Sequence, residues 1–266
     1  MDVLQATILG IVQGLTEFLP VSSSGHLALA TYHFGWGEGL PLWVGVATNT
    51  GTLLAVLVYL RRDVTTALLG FLRGLTSADA RHEEGWRIAL LVLVGSVPTV
   101  VIGLALRPVF ETLGQALPVA LALAVTGLVL WTAPRGGAKA APHQLTFRDA
   151  LLAGVAQGLA VIPGISRSGA TIAMLLWRGA SAETAPRLSF LMYLVVSVGV
   201  AVLEADTVIG EQVAWGALVA MTVASFVVGY LALLVLFAVL RRGRFRVFAP
   251  YLWAIAAFTL VRVALS

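Results

Sequence analysis

Three ionisable residues, Glu17, His26 and Arg167, interrupt or adjoin stretches of the sequence that are otherwise apolar. An ionisable side chain at membrane depth costs about 2.5 to 3.5 kcal/mol even on mild insertion scales, so each is a functional-site candidate. A carboxylate and an imidazole are typical of proton transfer or metal-assisted chemistry. A guanidinium is suited to phosphate oxygens. Together these residue types indicate a site that binds a dianion or a diphosphate.

The spacing around these residues places further polar groups at the same site. Gln13 precedes Glu17 by four residues, so both lie on one helix face. A helix must end before Pro20, and a serine that caps the next helix leaves free N–H groups that can bind an anion. The hydroxyl candidates are Ser22, Ser23, Ser24, Ser166 and Ser168. Competing interpretations are structural capping by the serines, a structural Glu17–Arg167 ion pair, and a buried structural histidine at His26.

These residues belong to a pattern that occurs twice, 144 positions apart. Residues 6–26 and 150–170 each contain an apolar stretch, a proline breaker and a serine-rich turn with glycine. The positions that coincide without gaps are Ala6/Ala150, Gly10/Gly154, Gln13/Gln157, Gly14/Gly158, Leu15/Leu159, Ser22/Ser166, Ser24/Ser168 and Gly25/Gly169. The ionisable residues differ between the copies. The pattern therefore predicts a duplicated scaffold that carries a divergent polar site.

The composition is that of an integral membrane protein. The 266 residues are 59% hydrophobic and 11% charged, with a mean hydropathy of +0.95, whereas soluble domains carry roughly a quarter charged residues. The net charge of +4 does not indicate nucleic-acid binding, because no Lys/Arg-rich run interleaved with aromatics is present. Since the chain has no cysteine, disulfides, thiolate metal sites and thiol nucleophiles are excluded.

Segment lengths predict an all-α polytopic fold with six transmembrane helices and two re-entrant helical hairpins. A spanning helix needs about 20 residues, and the candidates are Leu42–Leu60, Ile88–Leu106, Leu117–Ala133, Leu188–Leu203, Val213–Leu240 and Ala249–Val261. Four further pieces flank the two turns: Val3–Leu19, Ser22–Phe34, Arg148–Ile162 and Ser166–Trp177. The second piece of each pair makes about 20 Å of helix, which is too short for a hydrocarbon core of about 30 Å.

One hairpin followed by three crossings in each half predicts an inverted-topology repeat within one membrane domain. Repeat 1 covers about residues 1–133 and repeat 2 about residues 148–266. With Arg167 left aside, fourteen Lys and Arg residues lie in the connections 61–87, 134–187 and 241–249, against only Arg107 and Arg262 on the opposite side. The positive-inside rule then places both termini and the mouth of the first hairpin outside, with the second hairpin entering from the cytoplasm.

Two long motifs resemble the signatures of the undecaprenyl-diphosphate phosphatase family, the integral membrane enzymes linked to bacitracin resistance. They are Gln13-Gly-Leu-Thr-Glu17-Phe-Leu-Pro-Val-Ser-Ser-Ser-Gly-His26 and Pro163-Gly-Ile-Ser-Arg167-Ser-Gly-Ala-Thr171. The resemblance covers nearly the whole chain, including the run Gly51–Val56. In that family the first motif begins with Glu or Gln, and Asn49 stands where a His or Gln is expected. Gln13 leaves one carboxylate where a two-carboxylate metal site would need two.

The resemblance implies hydrolysis of a polyprenyl diphosphate to the monophosphate and phosphate at the outer membrane face, assisted by Mg²⁺ or Ca²⁺. Such hydrolysis recycles a lipid carrier for envelope synthesis and confers bacitracin resistance. Glu17 would bind the metal or act as acid or base, His26 would be the nucleophile or proton donor, and Arg167 would bind the diphosphate. Hydroxyl and amide contacts to the diphosphate are expected from Gln13, Ser22, Ser23, Ser24, Ser166, Ser168 and Thr171, with Ser23 also a catalytic candidate. Whether His26, a serine or water attacks stays open at this point.

The sequence also predicts two cavity-lining residues and the binding partners, and it leaves one alternative function open. Asn49 lies in a polar stretch inside a predicted span, and Gln157 is the repeat counterpart of Gln13; Asn49 could also bond a neighbouring helix. The expected partners are the prenyl diphosphate and the bilayer of the cell membrane, with a homodimer as a further expectation. Because inverted repeats with broken helices are also transporter architecture, the alternative function is a secondary transporter or flippase for an anionic or phospholipid-like substrate.

Overall fold

The computed structural model describes residues 2–34, 42–106, 108, 110–134, 144–208 and 214–265, and within these ranges it contains helices and no strand. The helices are α1 Val3–Phe18, α2 Ser23–Phe34, α3 Leu42–Tyr59, α4 Arg61–Thr76, α5 Glu84–Leu106, α6 Phe110–Leu113, α7 Ala116–Thr132, α8 Phe147–Leu159, α9 Arg167–Trp177, α10 Thr184–Val208, α11 Trp215–Arg241 and α12 Ala249–Leu265. Short 3-10 helices occupy Asp79–His82 and Phe245–Phe248. The all-helical prediction is confirmed for the described ranges.

Four stretches of the described chain are long and apolar enough to cross a membrane: α5, α10 over Thr184–Val202, α11, and Phe245–Leu265, which ends in α12. A fifth candidate is α3 joined to α4, which bend by 81° at their junction. The apolar helix α7 has 17 residues, at the short end of the spanning range. The chain is therefore a multi-pass membrane protein by the length and composition of its helices. Each of the six predicted spans overlaps one helix: α3, α5, α7, α10, α11 or α12.

Helix α4 lies in a segment that the sequence analysis treated as a connection. It combines Arg61, Arg62 and Arg73 with exposed leucines such as Leu68 and Leu72. Its sharp bend from α3 and its separate charged and apolar faces are typical of a helix that lies in the membrane interface. Its longest apolar run, Ala67–Leu72, is far shorter than the length of a spanning helix, so the helix has no signal of a span in the sequence. Three of the residues counted for the membrane orientation, Arg107, Arg135 and Lys139, lie outside the described residues. Val213, the predicted start of the fifth span, also lies outside them.

The glycines shared by the two sequence copies let each hairpin pack closely on a long helix. Helix α1 lies on α11, where a methyl group on Gly14 would come within 2.7 Å of the carbonyl oxygen of Ser225. Helix α8 lies on α5, where a methyl group on Gly158 would come within 2.8 Å of Cβ of Ile102. Small residues of this kind allow membrane helices to approach each other closely. The duplicated pattern thus encodes the same packing in both hairpins, α1–α2 and α8–α9.

The turns of the two hairpins touch each other inside the protein. The hydroxyl of Ser22 accepts a hydrogen bond from the backbone N–H of Gly164 at 3.2 Å. Gly164 has a φ of +98°, and its carbonyl accepts from the Thr126 hydroxyl of α7 at 2.8 Å. Non-helical backbone at membrane depth needs such protein partners because lipid offers none. This contact brings the polar residues of both turns to one place.

Candidate active site

Glu17, in the last turn of α1, is the centre of the polar site. Its side chain is only 5% exposed, yet three donors reach its carboxylate. Gln13 Nε2 donates to Oε2 at 2.9 Å and the hydroxyl of Ser23 donates to the same oxygen at 2.6 Å. Arg167 Nη2 donates to Oε1 from the second hairpin. A buried carboxylate requires compensation of this kind. We call Gln13, Glu17, Ser23 and Arg167 the Glu17 cluster.

Arg167 is the first residue of α9 and links the Glu17 cluster to α10. Its guanidinium carbon lies 4.1 Å from the centre of the Tyr193 ring, a cation–π geometry that holds the charge in place. The Tyr193 hydroxyl in turn lies 3.2 Å from the Thr52 hydroxyl of α3. The Arg167 side chain remains 32% exposed. The side chain is therefore held in position and remains partly exposed.

Arg167 borders two adjoining cavities. One has a volume of about 10 Å³ and is lined by Glu17, Phe18, Arg167, Ser168, Ser189, Phe190 and Tyr193. A space of that size holds about one water molecule. The second, of about 120 Å³, lies between α3 and α10, and we call it the α3–α10 cleft. The site thus has a narrow polar pocket at Glu17 and a wider opening beyond Arg167.

Ser22 and Ser166 hold the turns, whereas Ser23 belongs to the Glu17 cluster. Ser22 has a φ of +69°, a left-handed conformation that costs roughly 1 to 2 kcal/mol outside glycine. Its hydroxyl accepts from the N–H of Gly25 at 3.3 Å, which supports the strained turn. Ser166 caps α9 by accepting from the N–H of Gly169 at 3.1 Å. Both serines therefore have a demonstrated structural role.

The remaining predicted hydroxyls lie near the starts of α2 and α9. Ser24 Oγ is 3.4 Å from Ser22 Oγ, and Ser168 Oγ is 3.3 Å from Ser166 Oγ. The Thr171 hydroxyl is fully buried and donates to the carbonyl of Arg167 at 2.8 Å. Of these residues, Ser168 lines the small cavity at Glu17. Thr171 supports the backbone of Arg167, since its hydroxyl is already engaged within the helix.

His26 is engaged with α12. Its Nδ1 lies 2.8 Å from the carbonyl oxygen of Ser22, and its Nε2 lies 2.8 Å from the hydroxyl of Tyr251. A carbonyl can only accept, so Nδ1 carries a hydrogen, and in the neutral ring Nε2 accepts from the Tyr251 hydroxyl. The two rings are nearly parallel, with an interplanar angle of 8°. Both ring nitrogens thus have partners other than Glu17 and Arg167.

The two predicted cavity-lining amides have different surroundings. Asn49 Oδ1 accepts from Gln13 Nε2 at 3.1 Å, which extends the Glu17 cluster to the α3–α10 cleft. Gln157 instead is buried against α5, where its Nε2 donates to the Thr99 hydroxyl at 3.2 Å. The equivalent glutamines of the two repeats therefore face different neighbours. The structure places Asn49 with the Glu17 cluster and Gln157 apart from it.

Two tyrosines at the site were not identified from the sequence. The ring of Tyr193 makes a cation–π contact with the guanidinium of Arg167, and the hydroxyl of Tyr251 is hydrogen-bonded to His26. Tyr193 lies in the helix that follows the helix of Arg167, and Tyr251 lies 225 positions from His26. Both lie outside the repeated turns. A tyrosine in an apolar span has no local signal that separates a site residue from an interfacial or packing residue. Only the packing of α10 and α12 against the hairpins identifies them.

The donor set at Glu17 suits a hard divalent cation bound mainly through the substrate. Among the described residues, no group of three or more His, Asp or Glu side chains could hold a metal ion by itself. Mg²⁺ characteristically uses one or two carboxylates together with phosphate oxygens and water. Glu17, with the side-chain amides of Gln13 and Asn49 and the hydroxyl of Ser23, supplies one carboxylate and neutral oxygen ligands. The chemistry of this set fits Mg²⁺ or Ca²⁺ where phosphate oxygens or water fill the remaining positions.

Comparison with known proteins agrees with the resemblance that the two motifs indicated. The family described as bacitracin resistance protein BacA matches residues 6–258. The chain is 62% identical to an undecaprenyl-diphosphatase of Acaryochloris marina, over 100% of both chains. It is 43% identical to an undecaprenyl-diphosphatase of Desulfosudis oleivorans over 98% of each chain, and 40% identical to one of Nocardioides sp. over 99% of this chain and 97% of the relative. The chain belongs to the BacA family of bacitracin resistance proteins.

Proposed function

We propose that this protein hydrolyses undecaprenyl diphosphate, or a closely related polyprenyl diphosphate, to the monophosphate and inorganic phosphate. The observation that carries the proposal is the buried Glu17 carboxylate, which holds the Ser23 hydroxyl at 2.6 Å beside the partly exposed side chain of Arg167. A carboxylate that activates a hydroxyl next to a phosphate-binding arginine is suited to phosphoryl transfer. The names of the relatives support the same substrate. The reaction would regenerate a lipid carrier and account for bacitracin resistance.

The proposed setting is the cell membrane, with six spanning helices, two re-entrant hairpins and both termini outside. The repeats of about 1–133 and 148–266 would be inverted relative to each other. Three features support this arrangement: the equivalent packing of α1 on α11 and α8 on α5, the contact between the two turns, and the clustering of arginines in alternate connections. The active site would then face the outer leaflet through the first hairpin.

Substrate binding is assigned to Arg167 and to the turns around it. The guanidinium would bind phosphate oxygens through paired N–H groups. Free N–H groups at the start of α2 and of α9 would add partial positive charge at the same place. Ser24 and Ser168 would donate to the remaining oxygens, with Ser22, Ser166 and Thr171 holding the turns. Gln13 would donate as well once one of its two N–H groups leaves Glu17 or Asn49. A bound Mg²⁺ or Ca²⁺ would offset negative charge on the phosphate oxygens.

For the chemical step we assign Ser23 as the nucleophile and Glu17 as its base. The Ser23 hydroxyl gives its proton to Glu17 and forms a bond to the terminal phosphorus. The bond from that phosphorus to the bridging oxygen breaks, and its electron pair leaves with the polyprenyl monophosphate. Water then forms a bond to the phosphorus of the phosphoserine, and the bond from that phosphorus to the Ser23 oxygen breaks. The Ser23 oxygen takes back the proton held by Glu17, and phosphate leaves with the two protons of the water. Before Ser23 attacks, Arg167 must release Glu17 and bind the incoming phosphate instead. The carboxylate of Glu17 is then free to accept a proton.

The proposed reaction is tested with purified protein in detergent and undecaprenyl diphosphate, with Mg²⁺ or Ca²⁺ present. We expect phosphate release by the wild type and its loss in Glu17→Ala and Arg167→Ala. The matched control is Glu183→Gln combined with Arg241→Gln, an exposed ion pair with 3.9 Å between its charged atoms, which should retain activity. Failure of the wild type to release phosphate would refute the enzyme assignment, and intact substrate moved across vesicles would favour a flippase.

A further inference from the structure

The α3–α10 cleft is lined by one stripe of residues from each helix. Helix α3 contributes Val46, Asn49, Thr50 and Leu53, and helix α10 contributes Ser197, Val200 and Ala201. Their spacings of three and four residues place each set on one face of its helix. The two faces oppose each other across a space of about 120 Å³, with Arg167 as a further lining residue. The cleft is therefore an opening between two helices that leads to the guanidinium.

One end of the cleft is closed beside the Glu17 cluster. There, the buried Thr52 and Tyr193 hydroxyls join α3 to α10 at 3.2 Å. Val46 is six residues from Thr52, and Val200 is seven residues from Tyr193, which at 1.5 Å per residue is about 10 Å along each helix. Because Arg167 stacks on Tyr193 at 4.1 Å, the charged group lies at the closed end. The cleft runs from there toward Val46 and Val200.

The polarity of the lining changes along the cleft. Asn49, Thr50 and Ser197 form its middle part, and Leu53 lies next to Thr52 at the end that contains Arg167. Asn49 accepts a hydrogen bond from Gln13 of the Glu17 cluster. Val46, Val200 and Ala201 lie beyond the middle part. Val200 is 42% exposed, so this apolar end of the cleft opens at the outer surface of α10, which in a spanning helix meets lipid. A charged end that passes through a polar section to an apolar opening complements an amphiphile with an anionic head group.

We propose that the α3–α10 cleft receives the first isoprene units of the prenyl diphosphate and lets the rest of the chain pass between α3 and α10 into the lipid. This inference rests on the proposed function, because the diphosphate at Arg167 determines where the prenyl chain begins. The hydrocarbon chain then stays in contact with apolar surface or lipid throughout the reaction. Val46, Val200 and Ala201 are thereby assigned as residues that recognise the prenyl chain.

The first test compares tryptophan substitutions at two lipid-facing positions of α10. Val200→Trp fills the opening of the cleft, whereas the control Val198→Trp changes a residue that is 50% exposed and outside the lining. The measured quantity is the ratio of kcat/KM for undecaprenyl diphosphate to that for isopentenyl diphosphate. We expect Val200→Trp to lower this ratio at least about tenfold, mainly through KM, because a blocked apolar contact is worth 10-fold or more in specificity. An unchanged ratio in Val200→Trp, or an equal fall in Val198→Trp, would overturn the proposal.

The second test does not require turnover. Because the chain has no cysteine, a Ser197→Cys variant carries a single thiol in the cleft, and Thr65→Cys carries one on the exposed face of α4. We expect undecaprenyl monophosphate to slow maleimide labelling of the Ser197→Cys variant, and inorganic diphosphate to have no such effect. The Thr65→Cys variant should label equally with and without the lipid. Absence of protection in the Ser197→Cys variant would overturn the cleft assignment even if phosphate is released, whereas protection without phosphate release would overturn only the proposed hydrolysis.

Discussion

Replacing Ser23 by alanine tests whether the Ser23 hydroxyl attacks phosphorus or only orients Glu17. The Ser23 hydroxyl donates to Glu17 Oε2 at 2.6 Å, and a hydrogen bond to a charged group contributes about 1.5 to 3 kcal/mol. At 1.36 kcal/mol for each factor of ten in rate, loss of that orientation alone would lower activity by at most about 150-fold. Loss of a nucleophile removes the covalent path and lowers kcat by roughly 10⁴- to 10⁶-fold. We predict a loss in the second range.

The assay measures phosphate release from undecaprenyl diphosphate by the purified Ser23→Ala variant in detergent with Mg²⁺. Acid quenching of the wild type with substrate labelled in its terminal phosphate should also yield a peptide phosphorylated on Ser23. Ser24→Ala is the comparison variant, because its hydroxyl contacts only the Ser22 hydroxyl among the hydrogen bonds of the described chain, at 3.4 Å. Because Ser24 is assigned as one donor to the phosphate oxygens, we expect its loss to lower activity by about 10- to 150-fold, as for one hydrogen bond to a charged group. A Ser23→Ala loss below about 150-fold, with melting temperature unchanged, would refute Ser23 as the nucleophile.

Three further substitutions test separate parts of the site and fold. Tyr251→Phe removes the hydroxyl that donates to His26 Nε2 at 2.8 Å. We expect phosphate release to fall by about two- to tenfold, as for the loss of one neutral hydrogen bond. A loss above 100-fold would instead indicate that His26 has a direct chemical role. Gln13→Glu places a second carboxylate against Glu17, so we expect a lower melting temperature in the absence of metal. Calorimetry should show tighter Mg²⁺ binding by this variant. An unchanged Mg²⁺ affinity would count against metal binding at Glu17. Gly14→Ala forces a methyl group to within 2.7 Å of the Ser225 carbonyl oxygen and should destabilise the protein by about 1 to 3 kcal/mol, measured by thermal unfolding. Gly103→Ala, with its nearest contact at 3.4 Å, should be neutral.

Local sequence patterns predicted the helices of this protein well, because membrane helices are encoded by long apolar runs. All six predicted spans and the four hairpin pieces coincide with helices in the described ranges. The amphipathic helix α4 was missed because its polar residues interrupt every apolar run. The repeated glycines were recognised as a duplication, but their purpose became apparent only from the close approach of α1 to α11 and of α8 to α5.

The sequence by itself determined the membrane class, the family, and the four polar residues of the Glu17 cluster. Each of these depends on residue types and on spacing along the chain. Only the tertiary structure decided which polar groups meet: Ser23 with Glu17, His26 with Tyr251, and Gln157 with Thr99. The reason is that a side chain's partner depends on the rotation and packing of whole helices, and these bring His26 to a hydroxyl 225 positions away in the chain. The opening between α3 and α10 likewise has no signature in either helix alone.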